Sequence, residues 1–192
     1  MSIIAPTVPA PILPRRRQLL FGATFASAGF GAFILTAVGM YLQARAPIES
    51  TWLSEHAIPL TQPNVQLGTL IMSLFTVQWA AYSIKRDDRG HAFLALAITL
   101  LFGLAFLNQT WFLFTQIGLP MATVEGPLFY LVVGGHLVMV GVAIVFLALM
   151  TVRAIGGNFS SSYPDGLSAA ALFWHAMVAM YTVVWLTVYI MK

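Results

Sequence analysis

The chain reads as an all-α polytopic membrane protein: a bundle of five transmembrane helices, N-terminus inside and C-terminus outside. Three observations lead there. Of its 192 residues 59% are apolar and only 8% are charged, against about 25% charged in soluble domains. So few charges could not cover the surface of a water-soluble globule of this size. The nine Lys and Arg and the six Asp and Glu sit in short clusters separated by uncharged runs. Those runs approach or exceed the roughly 20 apolar residues that a bilayer-spanning helix needs. The basic residues, finally, fall on alternate connections, which gives the bundle a direction.

Met1–Pro14 holds Pro6, Pro9, Pro11 and Pro14 and no charged side chain, so it predicts an extended arm. Arg15, Arg16 and Arg17 close that arm as a basic stop, leaving residues 1–17 outside a single membrane domain, 18–192. The first uncharged run, about 18–44, is too long for a signal h-region and predicts a retained helix. Further runs at about 66–84, 91–116, 127–152 and 167–191 predict the other four helices. Barrel strands would be about 10 residues long and would alternate polar with apolar, a pattern these runs lack.

With the N-terminus inside, that side carries Arg15, Arg16, Arg17, Lys85, Arg86, Arg89 and Arg153, and the other side only Arg45 and Lys192. The outer connection 45–65 contains Trp52, Glu49, Glu55 and three prolines, and predicts a structured cap. The inner run Lys85-Arg86-Asp87-Asp88-Arg89-Gly90 predicts a tight turn with glycine at its end. Zero cysteines exclude disulfides, thiolate metal sites and c-type haem attachment within this chain. The net charge of +3 follows from the membrane-flanking basics and implies no nucleic-acid partner.

All six acids and every Lys and Arg lie in connections or at membrane edges. Proton pumps and ion-coupled transporters hold ionisable groups at depth, and broken helices would need mid-span prolines. An independent pump is therefore not the reading. His136 and His175 are the ionisable side chains inside the spans. As axial ligands to one b-type haem they would need a common depth. His136 lies roughly 13 Å in from the outer end and His175 roughly 12 Å in from the inner end, at 1.5 Å per residue. Across a core about 30 Å thick these are different levels, so a hydrogen bond to a neighbouring helix is the favoured role. His91 at the start of the third helix and His56 in the outer connection are expected in solvent.

Gly22, Ala26, Ala28 and Ala32 give the first helix a small-residue face that permits close backbone approach, within this chain or to another subunit. Asn108, Gln109 and Thr110 form a polar belt on the third helix. No Gly-rich phosphate loop, HExxH or GxSxG occurs, so the residues describe a five-helix packing subunit without catalytic groups of its own.

The order of motifs resembles subunit III of the haem-copper terminal oxidases in its five-helix form, over about residues 20–191. The first helix reads Phe25-Ala26-Ser27-Ala28, then Met40-Tyr41-Leu42-Gln43-Ala44-Arg45-Ala46, similar to the family's F-x-A-S-E and Y-F-x-x-R-A. The second reads Gly68-Thr69-Leu70-Ile71-Met72-Ser73, and the third Leu101-Phe102-Gly103-Leu104-Ala105-Phe106-Leu107. The fifth reads Phe173-Trp174-His175, then Val183-Val184-Trp185, similar to W-H-F-x-D-x-V-W. The family's acids fall on Ala28, on Leu113 or Thr110, and on Val178, and its H-x-x-H is reduced to His136. The hydrophobic scaffold is kept while most of the buried polar network is lost. Losing all partners together leaves no charge unpaired.

The resemblance implies a non-catalytic accessory subunit that stabilises a catalytic subunit I, with subunit II as a further partner, in a bacterial-type inner membrane. It also implies bound phospholipid, with haem and copper held by a partner subunit and none by this chain. The contact residues it suggests, toward lipid or subunits, are Arg45, His136, Trp174 and His175. An accessory or assembly protein of a related complex, such as a nitric oxide reductase, is the alternative.

Overall fold

The computed structural model describes residues 17–49, 52–53, 58–157, 159 and 164–191. The Pro-rich arm with Arg15 and Arg16, the residues Glu55 and His56, and Lys192 lie outside the described residues. Five helices are present: α1 Gln18–Arg45, α2 Thr61–Lys85, α3 Arg89–Ile117, α4 Glu125–Ile155 and α5 Asp165–Val184. A wider π-type turn, Trp185–Ile190, continues α5. All five are apolar and long enough to cross a membrane, α5 counted with its continuation as 26 residues; the shortest span is then α2, whose 25 residues are roughly 38 Å long. No strand occurs among the described residues.

Helix ends differ from the apolar runs for local reasons. α2 starts at Thr61 and takes Pro63 into its first turn, where a missing N–H leaves no intrahelical bond unmade. α4 starts at Glu125 and absorbs Pro127 in the same way. The α2–α3 turn corrects the sequence expectation. Its left-handed residue is Asp87, at φ 58°, and Gly90 already belongs to the first turn of α3. Aspartate tolerates this conformation because its short polar side chain bonds locally. The turn is closed by the Asp88 N–H on the Ser83 carbonyl at 3.0 Å. Asp88 then caps α3 by accepting from the His91 N–H at 3.2 Å.

α5 is the hub of the bundle, packing against α1, α2 and α4, while α3 bridges α2 to α4. Trp174, Phe173, Met177 and Tyr181 of α5 are fully enclosed. α3 comes close enough at Gly103 that a Cβ there would lie 2.8 Å from the Trp174 ring and 2.9 Å from Ile144. α1 is the peripheral member. Only 17% of its most apolar stretch is buried, against 56% for α5. The bundle ends are electrically unlike: Arg17, Lys85, Arg86, Arg89 and Arg153 gather at one end, and Arg45 sits at the other.

Candidate functional site

The polar groups inside the bundle form a ladder between α2, α3 and α5. Positions seven apart on a helix share a face, so Gln66 and Ser73 of α2 both point inward. The Gln66 amide donates to the Thr110 hydroxyl at 3.1 Å and its carbonyl accepts from the Tyr181 hydroxyl at 2.6 Å. Two turns along, Ser73 accepts from the Trp174 indole N–H at 2.8 Å and donates to the Leu70 carbonyl at 2.6 Å. A third rung joins the Thr99 and Thr76 hydroxyls at 2.8 Å. In hydrocarbon each of these groups needs a protein partner, because no water is at hand.

His136 sits beside this ladder, 1% exposed, its Nε2 donating to the Met177 carbonyl of α5 at 3.0 Å. Its ring is held by Phe106 and Tyr181, with centroids at 5.6 Å and 5.1 Å. His175 faces elsewhere: its Nδ1 donates to the Ala171 carbonyl at 2.6 Å and its ring lines a cleft with Gln78 and Trp79 of α2. The two histidines therefore occupy separate surroundings, and His136 makes the interhelical hydrogen bond expected of it. Among the described residues no group of three His, Asp or Glu side chains could hold a metal ion.

Trp174 and His136 are closed off inside the chain, so of the four suggested contact residues only His175 opens laterally. Arg45 closes α1, its guanidinium 2.7 Å from Glu49 and its side chain 8% exposed. Beside it the cap is clipped to α1 by the Trp52 indole N–H on the Tyr41 hydroxyl at 2.9 Å. The polar belt divides. Thr110 is in the ladder, Asn108 is exposed on α3, and the Gln109 carbonyl is buried without a partner. His91 is exposed, as its position suggests, and its ring pairs with Asp88 at 2.7 Å. That pairing, after the backbone bond from His91, holds the Asp88 carboxyl below its ordinary 3.8.

The small-residue face of α1 looks outward. A Cβ added at Gly22 or Gly29 would meet nothing within 4 Å. Ala26, Gly29, Phe30 and Phe33 of α1 form, with Gly135 and Val138 of α4, an apolar groove of about 540 Å³. Sequence reasoning named Thr110, Trp174 and His136, quoted Ser73 only within the second-helix motif, and missed Gln66 and Tyr181. The seven-residue spacing of Gln66 and Ser73 in an otherwise apolar helix was the signal. Of the positions where the family's acids fall, Ala28 is exposed on α1, Leu113 and Val178 are enclosed, and Thr110 is already bonded to Gln66.

A family model described as "Cytochrome c oxidase subunit III" matches residues 20–192. The cytochrome c oxidase subunit 3 of Cyprinus carpio is 33% identical over 133 residues, covering 69% of this chain and 49% of the carp protein. That of Paracentrotus lividus is 30% identical over 168 residues, 84% of this chain and 62% of the relative. That of Danio rerio is 32% identical over 133 residues, 69% of this chain and 49% of the relative. The chain spans about half the length of the fish proteins it matches.

Proposed function

Starting from a chain that belongs to the cytochrome c oxidase subunit III family, we propose that it is a non-catalytic accessory subunit of a respiratory haem-copper terminal oxidase. In this reading it stabilises the catalytic subunit I, with subunit II as a further neighbour, and the partner holds the haem and copper. The membrane is a bacterial-type inner membrane, with the basic end of the bundle on the inside by the positive-inside rule.

One observation carries the reading: the polar groups of the bundle interior largely bond to one another, while α1 offers a broad lateral apolar face. Phe21, Phe25 and Leu35 of α1 are 65%, 76% and 50% exposed. A subunit built this way supplies surface rather than a reacting group. Small residues along α1 let a neighbouring backbone come close, and the α1–α4 groove, about 540 Å³ with an apolar lining, suits acyl chains of bound phospholipid.

The experiment is purification from native membranes in mild detergent through a tag on this chain, followed by mass spectrometry and a haem spectrum. A large haem-copper subunit at equal stoichiometry, with phospholipid retained through washing, is the expected result. Recovery of the chain alone, or with unrelated membrane proteins, overturns the assignment.

A further inference from the structure

α3 turns one face to its neighbours and the opposite face outward. Inward, Phe106, Thr110 and Leu113 are enclosed. Outward, Leu94, Ala97, Leu101, Leu104, Asn108 and Trp111 are exposed. They follow one another at alternating spacings of three and four, the period of a seam along which two helices cross at about +20°. α3 packs on α2 and α4, whereas α1 packs on α5 and α4. The outward face of α3 is thus a different surface from the α1 face offered to the oxidase partner.

Asn108 is the polar member of that seam. It stands nine positions before the end of α3 at Ile117, roughly 14 Å along the helix. With 29 residues, α3 overhangs a hydrocarbon core of about 30 Å by roughly 7 Å at each end. The amide is therefore held several ångströms inside the hydrocarbon, on a side chain too short to reach the headgroups. The exposed hydroxyls of Thr24, Thr36 and Thr115 donate to carbonyls of their own helices. Asn108 has no hydrogen-bond partner among the described residues, and an amide in hydrocarbon needs one. Gln78, an exposed amide of α2, has Lys85 and His175 beside it in a cleft.

The group that satisfies Asn108 has to lie at the same depth, both donate and accept, and belong to a helix that can lie along the seam. A second copy of this chain meets all three conditions, because every copy crosses the membrane in the same direction. A two-fold axis normal to the membrane sets equal residues against one another, and a primary amide is complementary to itself. A lone Asn in an apolar seam also fixes the register, since a slip leaves both amides unpaired. We propose that two copies of this chain pair through parallel α3 helices, Asn108 of one copy hydrogen-bonded to Asn108 of the other, with Leu101 and Leu104 packed across the seam. Pairing on α3 leaves the α1 face free for the oxidase partner, so it stands or falls apart from the accessory reading.

The test uses the full chain in native membranes, produced together in two differently tagged copies. Because the chain has no cysteine, a single introduced one can cross-link only to another chain. Under mild oxidation Leu101→Cys and Leu104→Cys should give a product of twice the chain mass that carries both tags. Phe25→Cys on α1 and Val145→Cys on α4, 76% and 59% exposed, should not, which separates pairing from chance encounter. In liposomes, energy transfer between labelled copies on dilution with lipid should show Asn108→Leu pairing about tenfold more weakly, the worth of one interhelical hydrogen bond. Asn108→Gln, which keeps the amide, should retain most of the pairing. All five positions are exposed, so the variants keep the fold. No two-tag product at Leu101 and Leu104, a cross-link to a different polypeptide in its place, equal yield at Phe25, or undiminished pairing by Asn108→Leu overturns the proposal. None of these results touches the oxidase assignment, which co-purification decides.

Discussion

Trp174 of α5 donates its indole N–H to the hydroxyl of Ser73 on α2 at 2.8 Å, a bond between residues 101 positions apart. Both side chains are fully enclosed, and Ser73 passes the bond on to the Leu70 carbonyl. The same indole ring lies over Gly103 of α3, so a single side chain ties three helices together.

Removing the Trp174–Ser73 bond should cost little by itself and reveal coupling in combination. A double-mutant cycle of Trp174→Phe and Ser73→Ala, followed by unfolding in mixed micelles, should give a coupling energy of about 1 kcal/mol. Additive effects would mean that the bond does not contribute to stability. Trp174→Ala should cost several times more, about 3–5 kcal/mol, because a cavity is left behind.

Gly103→Ala should destabilise the bundle by about 1–3 kcal/mol, since the new methyl meets the Trp174 ring and Ile144 at 2.8 and 2.9 Å and the core has to shift. Gly39→Ala on α1, where nothing lies within 4 Å, should be neutral or slightly stabilising. Thermal unfolding in detergent compares the two directly, and equal effects would contradict the close packing described here.

Tyr181→Phe removes the donor to the Gln66 carbonyl at 2.6 Å and leaves that carbonyl buried. A loss of about 1–2 kcal/mol is expected. Adding Gln66→Leu should recover part of it, because both partners are then apolar. A double variant less stable than the sum of the two singles would contradict the pairing.

The Asp88 cap has a pH signature. The His91 backbone N–H and ring hold the carboxyl below its ordinary 3.8. Its contribution is therefore complete above that value and is lost as the pH falls through the lower folded value. Hydrogen exchange at the first amides of α3 should accelerate below about pH 3.8. Asp88→Asn should keep the cap and abolish this dependence, whereas Asp88→Ala should fray the turn at every pH.

Orientation can be read with single cysteines, because the chain has none of its own. Met121, four residues before α4, and Ile155, its last residue, are 66% and 67% exposed and flank the helix at opposite ends. A membrane-impermeant maleimide applied to intact cells should label Met121→Cys, and should reach Ile155→Cys only after permeabilisation. The reverse pattern would invert the bundle.

The five spans were legible because hydrocarbon imposes one requirement on every segment, and length with low charge suffices to see it. The helix starts were less so. Pro63 and Pro127 look like breakers to a composition argument, yet the first turn tolerates both. Gly90 drew attention in the α2–α3 turn, while Asp87 took the left-handed backbone, which aspartate tolerates better than most side chains. Among the interior polar residues, His136 was legible from its type alone. Gln66 and Tyr181 were not, since each is ordinary in isolation and their meaning lies in meeting 115 positions apart. The α2–α5 cleft was legible only as His175, because Gln78 belongs to another helix and no spacing links the two.

The central place of α5 has a consequence for biosynthesis. It is the last of the five helices to leave the ribosome, yet it supplies the partners of Ser73, of the Gln66 carbonyl and of His136. Until it inserts, α2 and α4 hold unpaired polar groups in the bilayer, and α1 has only α4 beside it. Closure of the bundle is thereby deferred until the fifth helix is made, and a nascent chain stalled before residue 165 presents these groups to whatever chaperone or insertase surrounds it.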